Sequence, residues 1–228
     1  MLKDNEKGAV LQIDRETYAI APHTPCGEVT PDYLRKLADV AEKYGVKNMK
    51  ITSAYRIALY GIREEDIDAI WQELDMDPGN LSGLCVRSVR CCPGNTWCRL
   101  GQKDSMAIGR KLDRIYHGME LPNKMKLAVS GCPVSCAEGW IRDIGLYGTG
   151  KSGWVMTIGG QAGSKVRVGE ELIRGLDDEA ALEAIARVVG HYKNAGVKGR
   201  LGKVVEKLGL DEFRKLVADL GEIKEEIE

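Results

Sequence analysis

Hydrophobic positions in the first third of the chain fall at two spacings. Behind Thr30 and Pro31, the residues Leu34, Leu37, Ala38, Ala41 and Tyr44 recur at helical spacing, and Gly45 stops the run. Met49 and Ile51 then share one face of a strand, and Ile57 and Leu59 belong to its partner. A second amphipathic helix carries Ile67, Ile70, Trp71 and Leu74, and the turn signal Asp77-Pro78-Gly79 ends the stretch. From about Ala9 to Met76 the pattern predicts a compact half-domain of strands and helices.

Between Asn80 and Leu100 the periodicity disappears and Gly, Cys and Arg take over, the texture of an irregular loop. Beyond it the pattern predicts a helix over Ser105–Met119 and strands over Lys124–Val129, Ile141–Tyr147 and Trp154–Ile158. The last third reads as helical, with Leu182, Ile185, Ala186 and Val189 on one stripe and Phe213, Leu216, Val217 and Leu220 on another. There is no internal repeat.

Composition narrows the class. The chain has 228 residues, enough for a substantial core, and a formal net charge of -1 from 33 basic and 34 acidic residues. Charge so evenly mixed leaves no footprint for nucleic acid, so any anion site is local. No apolar run is long enough to span a membrane, and the polar start MLKDNEKG is not a secretion signal, so the expected location is cytoplasmic.

Seven cysteines in such a compartment point to an inorganic centre before a disulfide framework. Cys132 and Cys136, in SGCPVSCAEG, form a C-x3-C pair after the Lys124 strand. Upstream, RCCPGNTWC offers Cys92 with Cys98, while Cys85 with Cys91 repeats the same spacing. Pro93-Gly94 gives a turn that presents Cys92 and Cys98 together. The Val86–Arg90 segment looks extended, and at roughly 3.3 Å per residue it would hold the other pair apart. Zinc prefers shorter knuckles, whereas a four-iron cluster tolerates varied spacing.

C-x5-C followed by C-x3-C, here CPGNTWC and GCPVSC, resembles the sulfite and nitrite reductases that couple siroheme to a 4Fe-4S cluster. LPNKMKLAVSGCPVSCAEGWIRDIGLYG is similar to that family's strand, cluster loop and next strand, and ITSAYRIALYGI to the end of its ferredoxin-like half-domain. The resemblance covers most of residues 10 to 165 and is nearest the small, single-repeat assimilatory-type sulfite reductases. It implies an α+β fold, with a ferredoxin-like half-domain over 1–78 and a mixed α/β siroheme and 4Fe-4S domain with a helical C-terminal part over 79–228. Pro-Val-Ser between Cys132 and Cys136 is closer to siroheme nitrite reductases.

Carried over by position, the resemblance gives the cluster to Cys92, Cys98, Cys132 and Cys136, with Cys136 bridging to the siroheme iron and Cys91 spare. It gives a basic substrate pocket to Arg87, Lys124, Lys126 and Arg56, the last one or two places off the family position. Arg87, Lys124 and Lys126 also count as siroheme contacts, and Gly159 and Gly160 as a turn packed on the tetrapyrrole. Alternation on a strand puts Lys124 and Lys126 on one face and Met125, Leu127 and Val129 on the other, and two adjacent ammonium groups call for an anion between them. A plain solvated strand face is the structural alternative for these lysines.

The implied reaction is six-electron reduction of sulfite to sulfide, or of nitrite to ammonia, with electrons from an external donor protein. Other readings are a non-catalytic siroheme and iron-sulfur electron-transfer protein and a cluster-only protein. A homo-oligomer is compatible with all of them. His23, His117 and His191 have no metal-ligand spacing.

Overall fold

The computed structural model describes residues 1–223, which fold as two compact units, Met1–Gly83 and Leu84 onward. In the first, β1 (Ala9–Leu11) and β2 (Tyr18–Ile20) precede α1 (Pro31–Lys43), β3 (Asn48–Ile51), β4 (Ile57–Ile62) and α2 (Ile67–Leu74). The strands form one antiparallel sheet in the order β1-β2-β4-β3. Tyr18, Ile20, Leu59 and Ile62 from the sheet meet Leu37, Val40, Ile67, Ile70 and Leu74 from the helices in a common core.

Helix α1 begins as its sequence predicts: the Thr30 hydroxyl accepts from the Tyr33 N–H at 3.1 Å, and Pro31 takes the first helical position. It ends in a Schellman turn. Gly45, at φ +61°, donates to Glu42 O, and Val46 donates to Ala41 O. The buried stripe differs from the expected one, because Leu34 and Ala38 are exposed and Val40 takes their place. A short sheet covers only the face through Leu37, Val40 and Ala41. Met49 and Ile51 do share a face, but β3 is an edge strand and both are exposed.

The second unit holds β5 (Arg90–Cys91), α3 (Gly94–Trp97), α4 (Ser105–Tyr116), β6 (Leu127–Ser130), β7 (Ile144–Gly148), β8 (Trp154–Ile158), β9 (Glu170–Leu176), α5 (Asp178–Asn194), α6 (Leu201–Leu208) and α7 (Leu210–Val217). Its sheet runs β5-β6-β7-β8-β9, parallel across the first three strands and antiparallel across the rest. Every residue of β6 and β8 is buried, as expected of strands covered on both faces. No helix among the described residues is long and apolar enough to cross a membrane.

Several boundaries move from their expected places. The Lys124 strand begins at Leu127, since before it only Met125 bridges to a neighbour, Val86. Ile141 lies in a short 3-10 turn over Gly139–Ile141, so the next strand starts at Ile144. Helix α4 stops at Tyr116, before Gly118 at φ +78°. The aperiodic segment contains β5 and α3, and β9 was not foreseen. Ala186 is exposed, and α5 buries Ala181, Ala184, Val188 and Tyr192 beside Ile185 and Val189.

Candidate functional site

Strands β5 and β6 are parallel and in register, Cys91 beside Val129, so the chain leaves both at the same sheet edge. Cys92 follows β5 directly, and Gly131-Cys132 follows β6. The carboxyl edge of parallel strands is where such sheets place their ligands. Here it carries both cysteine pairs of the motif.

Backbone contacts clasp the two loops together. The Gly131 N–H donates to Cys92 Sγ at 3.1 Å, and Cys92 N–H donates to Val129 O. Gln102 and Lys103 N–H groups both donate to Gly131 O. A Cβ on Gly131 would lie 2.7 Å from Gly94 Cα, and one on Gly101 would overlap Gly94 O and Asn95 N. Only glycine permits approaches this close. Helix α3 is a single turn, and it brings the Cys98 N–H to Gly94 O at 3.0 Å, so Pro93-Gly94 folds the first loop back on itself as expected.

None of the seven cysteines is paired in a disulfide. Cys132 is buried, Cys92 and Cys98 are partly exposed and Cys136 is open to solvent. Cys91 is 7 % exposed within β5, Cys85 is buried in the bridged segment before it, and Cys26 is buried in the first unit. Among the described residues no three His, Cys, Asp or Glu side chains converge as they would on one metal ion. A cluster asks something different, because its thiolates bind separate irons. An all-sulfur set on two clasped, glycine-rich loops fits a cluster.

Upstream of the same strands lies the basic group. Arg87 N–H donates to Met125 O and Met125 N–H to Cys85 O, which lays residues 85–87 alongside 124–126. Val86 and Met125 are buried, so alternation turns Arg87, Lys124 and Lys126 to the opposite face. Lys124 is exposed and Lys126 half-buried, and neither forms an ion pair among the described residues. Burial lowers the Lys126 ammonium from its ordinary value, and Arg200, Lys124 and Arg87 push it the same way against Asp143. Two lysines this close, with no ion pair of their own among the described residues, fit an anionic ligand. Lys126 and Cys132 are six positions apart, roughly 20 Å along an extended chain, so a ligand reaching both ends is an extended one.

Arg200 was not singled out from the sequence. It is 9 % exposed, just before α6, and its guanidinium forks onto Asp143, Nε to Oδ1 at 3.1 Å and Nη2 to Oδ2 at 2.5 Å. Asp143 is fully buried. Burial pushes its carboxyl up, and Arg200 pulls it back down. The only hint in the sequence was Asp143 itself, a charge set between Ile141 and Ile144.

The other expected residues fare differently. Arg56 belongs to the first unit, 2 % exposed, with its guanidinium on Ala21 O at 3.2 Å and His23 Nδ1 at 3.3 Å. A Cβ on Gly160 would overlap Trp140 O, and one on Gly159 would meet Arg167 Nη1 at 2.5 Å. Packing within the protein already requires glycine at 160, and at 159 a φ of +79° favours it.

Two family models cover nearly the whole chain. The nitrite/sulfite reductase ferredoxin-like half domain matches residues 11–77, and the nitrite and sulphite reductase 4Fe-4S domain matches 82–224. The assimilatory-type sulfite reductase of Nitratidesulfovibrio vulgaris is 42% identical over 217 residues, 95% of this chain and 99% of that protein. A nitrite reductase [NAD(P)H] of Bacillus subtilis is 36% identical over 89% of this chain, which spans only 25% of that larger protein. Among solved structures, the NirA protein of Mycobacterium tuberculosis superposes with a TM-score of 0.80 at 19% identity, covering 92% of this chain and 42% of that one. A dissimilatory sulfite reductase does so with 0.80 at 16%, covering 91% and 70%. The chain belongs to the nitrite and sulfite reductase family, enzymes that work with siroheme and a 4Fe-4S cluster.

Proposed function

We propose that the protein reduces sulfite to sulfide, with Cys92, Cys98, Cys132 and Cys136 holding the cluster and Arg87, Lys124 and Lys126 holding the oxyanion. The observation that carries this reading is the pairing of clasped cysteine loops with two lysines, Lys124 and Lys126, that form no ion pair among the described residues and lie just before β6. Likeness over 99% of the length of an assimilatory-type sulfite reductase favours sulfite. Nitrite is the second reading, favoured by the 36% identical nitrite reductase.

Siroheme coupled to a 4Fe-4S cluster supplies a redox centre that passes electrons one at a time to an oxyanion. Cys92, Cys98, Cys132 and Cys136 would hold the cluster, and Cys136, the most exposed of the four, would face the siroheme as the resemblance implies. Arg87 and Lys124 balance the charge of sulfite and orient it, and a fixed cation costs no reorganisation when charge builds on a departing oxygen. Lys126, its ammonium lowered from the ordinary value by burial, donates protons as three oxygens leave as water. Six electrons come from a separate donor protein. Arg56, the remaining basic residue that the resemblance implies, is held by Ala21 O and His23 Nδ1 within its own unit.

Purified protein from a siroheme-producing host, extracted with acidic organic solvent, tests this directly. Siroheme by mass, together with cluster iron and acid-labile sulfide, is expected. A cluster without tetrapyrrole would sink the reductase reading, and sulfite and nitrite turnover with one artificial donor would rank the two substrates.

A further inference from the structure

Asp143 is the hub of a small buried network that the motif does not include. Its Oδ2 accepts the Lys126 N–H at 2.7 Å as well as Arg200 Nη2, and its Oδ1 accepts Arg200 Nε. Its backbone is tied too, with Gly159 N–H donating to Asp143 O and Ile144 N–H to Lys126 O. Arg200 is carried to this point from the helical C-terminal part, where Tyr192 of α5 donates to Gly199 O at 2.7 Å. A buried ion pair is weak as a source of stability, because the cost of desolvating both charges offsets their attraction. Its presence directly under the KMK segment calls for another role.

We propose that Asp143 and Arg200 are a positioning pair for Lys126: the carboxylate fixes the lysine's backbone and holds the guanidinium beside its ammonium. The inference rests on the reading of Lys126 as a proton donor, which needs a lysine that gives up its proton readily. Every charged neighbour of Lys126 takes part in that balance. Arg87 comes from the segment before β5, Lys124 from the same segment before β6, Asp143 from the turn before β7 and Arg200 from the position just before α6. Tyr192, held at about 12 chiefly by burial, stays neutral. Arg200 is the foremost of the cations that disfavour the Lys126 charge, and Asp143 is the one group opposing them.

The pair therefore acts through two charges of opposite sign, which a purely structural tie would not do. Competitive acylation with trace acetic anhydride across pH, read at Lys126 by peptide mass spectrometry, measures its titration in the full chain without any turnover. Arg200→Gln is expected to raise the Lys126 pKa and Asp143→Asn to lower it, with the double variant between the two. Arg200→Lys, which keeps the charge, should stay near the parent and remains informative if Arg200→Gln does not fold. The alkaline limb of the pH profile of sulfite reduction should move with the same signs. Folded variants whose Lys126 titration stays unchanged, or moves in one direction for both single substitutions, would overturn the proposal. Absence of siroheme from the parent would defeat the reductase reading while leaving the labelling result to stand on its own.

Discussion

Gly45 and Gly101 are the same residue put to opposite uses. Gly45 closes α1 at φ +61°, and a Cβ added there would meet nothing within 4 Å. Gly101 has no need of a left-handed backbone, yet a Cβ on it would overlap the backbone of Gly94 and Asn95. The first glycine serves a local turn in the ferredoxin-like unit. The second lets the two ends of the first cysteine loop touch, and Cys98 lies between them. A turn residue can be replaced at the cost of its own strain, whereas a contact residue takes its neighbours with it.

The largest effect should follow from Gly101→Ala. Overpacking of this kind costs about 1–3 kcal/mol or more, and the flexible partner here is the cysteine loop itself. Most of the iron and acid-labile sulfide should be lost while the helical content by circular dichroism survives. Cys98→Ser should lose the same iron, and Cys91→Ser, buried in β5 beside Val129, should keep it. Full iron content in Gly101→Ala would show that the first cysteine loop does not depend on this close packing.

Lys126→Met comes next. It leaves the loops alone, so siroheme and cluster content should be retained while sulfite turnover falls by roughly 100- to 1000-fold, the usual loss when one preorganised donor is removed. The protonated lysine is the working form, so activity should fall as pH rises through a pKa that burial and Arg200 hold below the ordinary 10.5, and the variant should lack that limb. Stability follows the opposite course. A lysine with its pKa lowered on folding binds more protons when unfolded, so its destabilising contribution is relieved as pH climbs through the folded value. Melting temperature against pH in parent and variant would show it, and an unchanged difference between them would count against the crowding of cations at Lys126.

These differences also explain what could be read from sequence. Helix α1 announced its cap, its proline and its stop, because those are local events within a few residues. Which of Leu34, Ala38 and Val40 it buries was not local, since the width of the sheet beneath decides it. The cysteine loops were legible as a motif although they have no periodicity, for their spacing is set by chemistry. Strand β5 was hidden because two residues carry no pattern, and it exists by pairing with Ala128 and Val129. Arg200 was hidden more deeply: its meaning comes only from Asp143, which lies far away in the chain.

The smallest effect, and the one that sharpens the contrast most, belongs to Gly45→Ala. A left-handed backbone costs an ordinary residue roughly 1–2 kcal/mol, and there is open space for the methyl group. The Schellman hydrogen bonds from Gly45 to Glu42 and from Val46 to Ala41 can persist, so the helix should end where it does now. Thermal unfolding should therefore register a loss of that size, with iron, sulfide and siroheme content all unchanged. Loss of cofactor in Gly45→Ala would mean that the end of α1 bears on the cysteine loops, and the division of labour between the two glycines would fail.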